Sequence, residues 1–322
     1  MVSQTMISVV IPLYNKAQSV RKTLDSVLAQ TFKDFEIVIV DDGSTDGSAD
    51  VAEAFLQASR LSGVPDKVHD FVGCSSPLAF RLIRKSNGGV SSARNRGIQE
   101  AKYRYIAFLD ADDYWEPTYL ETQAKMIHDF PNAKMWGTAW GMMVGDEKRE
   151  GHGTRIPLNH HGMVNNHQYF AENMFLYCTD VVVINKQIFD TIDMFDERIS
   201  CGEDVDLWWR IILHFPIAYT NECLAYYRQD TENRITLSKP KLQTHFVNFI
   251  EKYEVYYEQC PPFKKYVQHE ALGHLYKYFR EDPKNKNIKR ILSYIDFSLQ
   301  PFSYRLRYTF PQVYEWLMKV KK

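Results

Sequence analysis

Tyr105-Ile106-Ala107-Phe108-Leu109 is an apolar run that ends in Asp110-Ala111-Asp112-Asp113. A second run, Phe35-Glu36-Ile37-Val38-Ile39-Val40, ends in Asp41-Asp42 and the turn residues Gly43-Ser44-Thr45-Asp46-Gly47. Apolar runs this short, rich in β-branched residues and closed by turn signals, read as buried strands. Ile7-Ser8-Val9-Val10-Ile11-Pro12 is a third, and Phe80-Arg81-Leu82-Ile83 a fourth. Between the first two along the chain, Val20, Leu24, Val27 and Leu28 recur at helical spacing. Asn87-Gly88-Gly89 leads into a helix expected from Ser91 or Ser92. Alternating strands and amphipathic helices predict an α/β fold, a Rossmann-like, mostly parallel sheet flanked by helices. Both acid pairs then fall beyond the carboxyl ends of strands, where open α/β sheets bind their ligands. Carboxylates there suit a hard divalent cation that holds a diphosphate and keeps coordination positions open.

A chain of 322 residues can bury a core of one α/β domain with additions, or of two small domains. The net charge of -1 gives no global field for nucleic acid. Cys74, Cys178, Cys201, Cys223 and Cys260 are odd in number and contain no C-x-x-C pair, so they read as reduced thiols of a cytoplasmic protein. The N-terminus lacks the marks of a secretory signal, and no apolar run approaches the roughly 18 residues of a membrane helix. A soluble or peripherally attached protein is expected.

The pattern divides the chain into 1–115, a ligand-binding half, 116–238, the other half of the same domain, and 239–322, a helical extension. Residues 145–168, rich in Gly, His and Asn, read as a mobile surface loop. Their histidines, His152, His160, His161 and His167, lack the regular spacing and the cysteines of a zinc site. Asp180-Val181-Val182-Val183-Ile184 reads as a strand and 203–213 as a helix. Between Lys284 and Lys322, nine Lys or Arg stand against Asp296 and Glu315, interleaved with aromatic residues. Such a tail suits an anionic membrane surface, with a packing or homodimer-forming extension as the alternative.

Six stretches, Ile7 to Asn15 (ISVVIPLYN), Ser26 to Phe32 (SVLAQTF), Glu36 to Gly47 (EIVIVDDGSTDG), Asn87 to Ile98 (NGGVSSARNRGI), Tyr105 to Trp115 (YIAFLDADDYW) and Gly202 to Arg210 (GEDVDLWWR), together resemble glycosyltransferase family 2. The resemblance keeps its order from about residue 5 to 235. It implies the A-type glycosyltransferase fold, a nucleotide-sugar donor that is often UDP-linked, Mn2+ or Mg2+, and inversion at the anomeric carbon. The implied acceptor is a glycan or lipid-linked glycan of a bacterial surface polysaccharide, reached from the cytoplasm at the inner face of the plasma membrane.

The resemblance puts the base near Pro12, Tyr14, Asp41 and Asp42, the ribose at Asp110, the metal at Asp112, and Arg94 and Asn95 near the donor. Chemically, Asp42 suits the N3-H of uracil, although Asp41 and Asp42 are also natural turn and helix caps. Gly88 and Gly89 would let backbone N–H groups approach phosphates at a helix start. Arg94 and Asn95 admit a packing role equally. Asp113 reads as a cap for the segment from Tyr114. Asp204 shares a helix face with Leu207, Trp208 and Ile211, which turns a carboxylate inward as a general base, the role the family also gives it. Glu203 then contacts the acceptor or serves as a hydrogen-bond partner. After Tyr227-Arg228-Gln229 the histidine common in the family is replaced by Asp230, which either ligates the metal or leaves it to Asp112, phosphates and water.

An inverting transfer of a hexosyl or N-acetylhexosaminyl group follows from this reading. A sugar nucleotidyltransferase would carry a basic Gly-rich loop after the first strand, and Pro12-Leu13-Tyr14-Asn15 offers none. A non-catalytic nucleotide-sugar-binding partner would have lost acids that are all present here.

Overall fold

In the computed structural model, which describes residues 5–61, 79–234 and 240–320, the N-terminal β-branched run sits inside the sheet. The elements in order are β1 (Ile7–Leu13), α1 (Val20–Leu28), β2 (Phe35–Asp41), α2 (Ser48–Leu61), β3 (Ala79–Arg84), α3 (Val90–Glu100), β4 (Tyr105–Phe108), β5 (Tyr114–Trp115), α4 (Tyr119–Asp129), β6 (Met135–Val144), β7 (Glu147–Arg149), β8 (His161–Val164), α5 (Asn166–Ala171), β9 (Val182–Asn185), α6 (Glu203–His214) and β10 (Ile217–Arg228). Helices α7 (Pro261–Glu281), α8 (Lys286–Ser293), α9 (Phe302–Thr309) and α10 (Pro311–Val320) follow. The strands order as β3-β2-β1-β4-β9-β6-β10-β5, with β7 beside β6 and β8 beside β10. Parallel ladders join β1 to β2 and β4, β2 to β3, and β6 to β10. The antiparallel ones are short, with β9 between β4 and β6.

Every residue of β1 and β2 is buried, as two covered faces require. Pro12 tolerates this position because of register. The Val10 carbonyl accepts Leu109 N–H on the β4 side, and Pro12, two residues on, faces the same side where β4 has already ended. Helix α3 lies against β1 through Gly97, whose added Cβ would meet Val10 Cγ1 at 2.2 Å.

Two stretches differ from the sequence reading. Residues 145–168 are not one loop: β6 and β7 form a hairpin across Gly145-Asp146, with Gly145 at φ +60, and β8 pairs with β10. The strand expected from Asp180 begins at Val182, after a 3-10 turn over Thr179–Val181. Asp180 is spent on other bonds: its carbonyl accepts Trp115 Nε1–H at 2.7 Å and its carboxylate accepts Asp110 N–H at 2.7 Å.

The chain forms two compact units. The first holds the described residues of 1–165, 174–197 and 203–239; the second holds those of 166–173, 198–202 and 240–322. In the second, α5 packs on α7 through Phe170 and Phe263, with ring centroids 4.8 Å apart, and through Tyr169 and Tyr266. Within the basic tail, Arg290 pairs with Glu251 and Arg307 lies over the rings of Tyr276, Tyr304 and Tyr314. Tyr308 is buried, whereas Phe302, Phe310 and Trp316 are exposed. No disulfide joins the described cysteines, and Cys74 lies outside the described residues. Among the described residues no helix is long and apolar enough to cross a membrane.

Gly97→Ala tests the α3–β1 contact. In a solvent-facing helix it would gain up to about 1 kcal/mol. Here the clash with Val10 predicts a net loss of about 1–3 kcal/mol by overpacking, read by denaturant unfolding. A gain in stability would contradict the packing described.

Candidate active site

The carboxyl end of β2 is built as a loop clasp. Asp41 Oδ1 accepts Ser44 N–H at 3.2 Å. Asp42, almost wholly buried, accepts Gly88 N–H at 3.0 Å and Gly89 N–H at 2.8 Å, and pairs with Lys85 Nζ. Gly43, at φ +76, brings the turn so close to the loop after β3 that a Cβ there would meet Asn87 N at 2.9 Å. The N–H groups of Gly88 and Gly89, expected to face phosphates, are committed to Asp42 instead, because a buried carboxylate between strand ends needs donors. Tyr14, just past β1, is half exposed.

At the end of β4 the main-chain turn is held from α1, where the buried Thr23 hydroxyl contacts the carbonyls of Ala111 and Asp113 at 3.0 and 2.9 Å. Asp110 therefore has a fixed position. Its carboxylate receives Arg94 Nη2 at 2.8 and 3.1 Å, while Arg94 Nη1 reaches Glu203 Oε1 at 2.8 Å. Arg94 is buried in α3, with Phe195 packed against its guanidinium at 5.4 Å. Burial opposes its charge, but the Asp110 and Glu203 carboxylates more than offset this and raise its pKa. Asn95, next along α3, turns elsewhere. It donates to Phe195 O and Glu197 and accepts Phe195 N–H, so its polar groups pin 195–197 instead of facing a ligand.

Asp113 is not the local cap that the sequence suggested. It is buried, accepts Arg228 N–H from β10 at 2.8 Å, and hydrogen-bonds through its side chain to Asp180. Burial raises the pKa of both: Asp113 goes well above the ordinary carboxylate range, and Asp180, further raised by Asp110, is pushed up to about 7. A proton on one of the two would let it donate to the other and relieve their repulsion. Ligand oxygens of Asp110, Asp113 and Asp180 lie within 4.8 Å of one another. Sequence reasoning missed Asp180, whose only signal was an acid opening an otherwise apolar run.

Helix α6 starts after Gly202, at φ +80, which lets the chain enter the helix in a left-handed conformation. Leu207, Trp208 and Ile211 are buried, and Asp204, on the same face, lies on the wall of a cavity of about 370 Å³. Asp110, Asp113 and Asp180 line the same cavity, together with Trp140, Phe175, Tyr226 and Tyr227. Burial raises the pKa of Asp204 and of Glu203, against the opposing pull of Arg94. Glu203 is occupied by Arg94; Asp204 accepts a long bond from Thr179 Oγ1 at 3.4 Å. A second cavity of about 310 Å³ shares the wall of Trp140, Met142 and Phe175.

Asp112 Oδ2 pairs with Lys16 Nζ at 2.6 Å and accepts from Thr231 Oγ1 at 2.9 Å. Asp230 does not join it there. Its Oδ2 accepts Gly145 N–H at 2.9 Å from the β6–β7 turn, and its pKa is lowered as that bond and Arg228 outweigh its slight burial. The two acids proposed as metal ligands thus have separate partners.

The family model described as glycosyl transferase family 2 matches residues 8–192. The chain belongs to that family. Glycosyl transferase relatives include the putative teichuronic acid biosynthesis glycosyltransferase TuaG of Bacillus subtilis, 29% identical over 238 residues, 73% of this chain and 83% of TuaG. An uncharacterized glycosyltransferase of Rickettsia typhi, RT0329, is 24% identical over 98% of both chains. The match to GlyA of Streptococcus pneumoniae, 35% identical over 124 residues, spans only 15% of that longer protein. Among solved structures, S. aureus TarS 1-349 in complex with UDP-GlcNAc has a TM-score of 0.65 at 16% identity, covering 92% of this chain and 83% of TarS 1-349. The mannosyltransferase PcManGT of Pyrobaculum calidifontis, with GDP-Man and Mn2+, has a TM-score of 0.55 at 14% identity, covering 99% of this chain and 87% of that one. These likenesses establish the mixed α/β fold with its central sheet flanked by helices.

The raised pKa values of Asp113 and Asp180 give a pH signature. A carboxyl whose folded pKa exceeds its unfolded value binds protons more tightly when folded, so its contribution to stability falls as pH rises through that interval. Unfolding free energy should carry a component that declines between pH 3.8 and about 7. Asp180→Asn keeps an acceptor for Asp110 N–H and should flatten that component; an unchanged slope would show that the pair holds no extra proton.

Proposed function

We propose that this chain is an inverting glycosyltransferase that moves one monosaccharide from a UDP-sugar to a hydroxyl of a glycan acceptor during polysaccharide synthesis. The observation that carries this reading is the cavity that brings Asp204 and Asp110 together under an aromatic wall of Trp140, Phe175, Tyr226 and Tyr227. Aromatic faces match the apolar faces of sugar rings, and a few convergent carboxylates orient their hydroxyls. TarS has been solved in complex with UDP and with UDP-GlcNAc, and TuaG is a putative teichuronic acid biosynthesis glycosyltransferase. Both support the donor and acceptor class proposed here.

Asp204 is the general base. As the acceptor oxygen attacks the anomeric carbon, its proton passes to an Asp204 carboxylate oxygen, and the electron pair of the breaking bond leaves on the diphosphate. A pKa raised by burial brings Asp204 nearer neutrality and makes it a better base. No strong acid is needed on the leaving side, because a diphosphate is already a stable anion. Glu203 holds Arg94, which keeps Asp110 in place for the ribose hydroxyls. At the base end, both oxygens of Asp42 are engaged by Gly88, Gly89 and Lys85. A uracil N–H would take the place of one of these donors, next to Tyr14, Pro12 and Asp41.

The oxygens around Asp112 fit a hard cation. Its carboxylate and the carbonyls of Glu232 and Asn233 already converge on an ammonium. A divalent ion bound there would neutralise charge building on the diphosphate. Mn2+ or Mg2+ both suit, and Mn2+ accompanies the sugar nucleotide in PcManGT.

Asp204→Asn should leave UDP affinity within about twofold by calorimetry and lower turnover by about 10²–10⁴-fold, as for removal of a general base. Parallel loss of UDP binding would make Asp204 a donor ligand and overturn the assignment.

A further inference from the structure

The cation that Asp112 holds in this structure is supplied by the chain itself. After β1 the backbone turns through Asn15, at φ +51, and sends the Lys16 side chain inward, where it is only 12% exposed. Its ammonium lies 2.6 Å from Asp112 Oδ2, 2.5 Å from Glu232 O and 3.4 Å from Asn233 O. Thr231 Oγ1 donates to the same carboxylate oxygen. The segment that supplies these groups is sewn to the start of α1. The Glu232 carboxylate accepts Gln18 N–H at 3.0 Å, Ser19 N–H at 3.1 Å and the Ser19 hydroxyl, and Asn233 Nδ2 donates to Asn15 O at 3.0 Å.

A lysine on a surface turn ordinarily keeps its ammonium in water. Here the ammonium sits in a nest of oxygens, the donor set a hard divalent ion takes at 2.0–2.6 Å. Two cations cannot occupy that space, since at such separations their repulsion is large even with screening.

We propose that Lys16 is an internal counter-cation of Asp112 that competes with the divalent ion. Loading the metal expels the ammonium and loosens the 231–233 segment from the start of α1. The empty enzyme thereby keeps Asp112 paired, and metal binding is coupled to the position of a segment beside the donor site. This inference rests on the reading of Asp112 as the metal ligand, and the test separates the two.

The probe is Mn2+ titrated calorimetrically into the full chain at saturating UDP, with the Mn2+ electron paramagnetic resonance signal as a second count of bound ion. Lys16→Met should tighten the Mn2+ Kd about tenfold, the value of one charge-assisted hydrogen bond no longer given up. Lys16→Gln, which keeps a donor for the Glu232 carbonyl, should also tighten it and covers the case in which the methionine variant folds poorly. Lys22→Met, at an exposed pair with Asp146, should change nothing. In the unaltered protein Mn2+ should speed amide hydrogen exchange at Gln18 and Ser19, and in Lys16→Met it should not. Equal or weaker Mn2+ binding in folded Lys16 variants, with Asp112→Asn abolishing it, overturns the competition alone. Mn2+ binding that survives Asp112→Asn overturns the metal assignment beneath it.

Discussion

Arg94 is the constraint on which the candidate site depends. Four acids, Asp110, Asp113, Asp180 and Asp204, line one cavity, Glu203 is next to Asp204 in the chain, and carboxylates so placed repel one another and resist burial. The protein answers this in two ways. One buried guanidinium bridges Asp110 at the end of β4 to Glu203 at the start of α6, and burial raises the pKa of Asp113 and Asp180, which favours a neutral carboxyl in that pair. Asp204 is left without a cation of its own, beside an open cavity. A carboxylate with a raised pKa and no cation paired to it suits a general base.

The same logic explains why the site takes residues so distant in sequence. Parallel strands deliver their carboxyl ends to one edge, so Asp41, Asp42 and Asp110 arrive together by topology. Asp180 comes from the opposite direction, ahead of the antiparallel β9, and its carboxylate fixes the Asp110 amide. Arg228, at the end of β10, closes the arrangement by giving its N–H to Asp113.

The strands, the helix starts and the acids at strand ends were legible because each is a local signal: period, β-branching, glycine and turn chemistry. The family resemblance followed from those motifs in order. What could not be read was how each polar group spends its hydrogen bonds. Gly88 and Gly89 looked available to phosphates, yet Asp42, 46 and 47 residues earlier in the chain, takes their N–H groups. For Asn95 and Asp230 the sequence left a ligand role and a structural one equally open, and the structure uses them on Phe195 and on the Gly145 turn. Nothing near Lys16 or Asp180 in the sequence pointed to their partners, which lie 96 and 70 residues away. Long-range polar pairing is decided by topology, and a lone charged residue carries no periodicity to reveal it.

If Arg94 acts as the neutralising bridge, its removal must leave charges stranded, and removing those charges must restore stability. Equilibrium unfolding of Arg94→Met against Arg94→Met combined with Asp110→Asn and Glu203→Gln measures this most directly. The single change should cost about 3–5 kcal/mol, as for one partner lost from a buried pair, and the triple change should recover more than half of it. Losses that simply accumulate across the three substitutions would contradict the account.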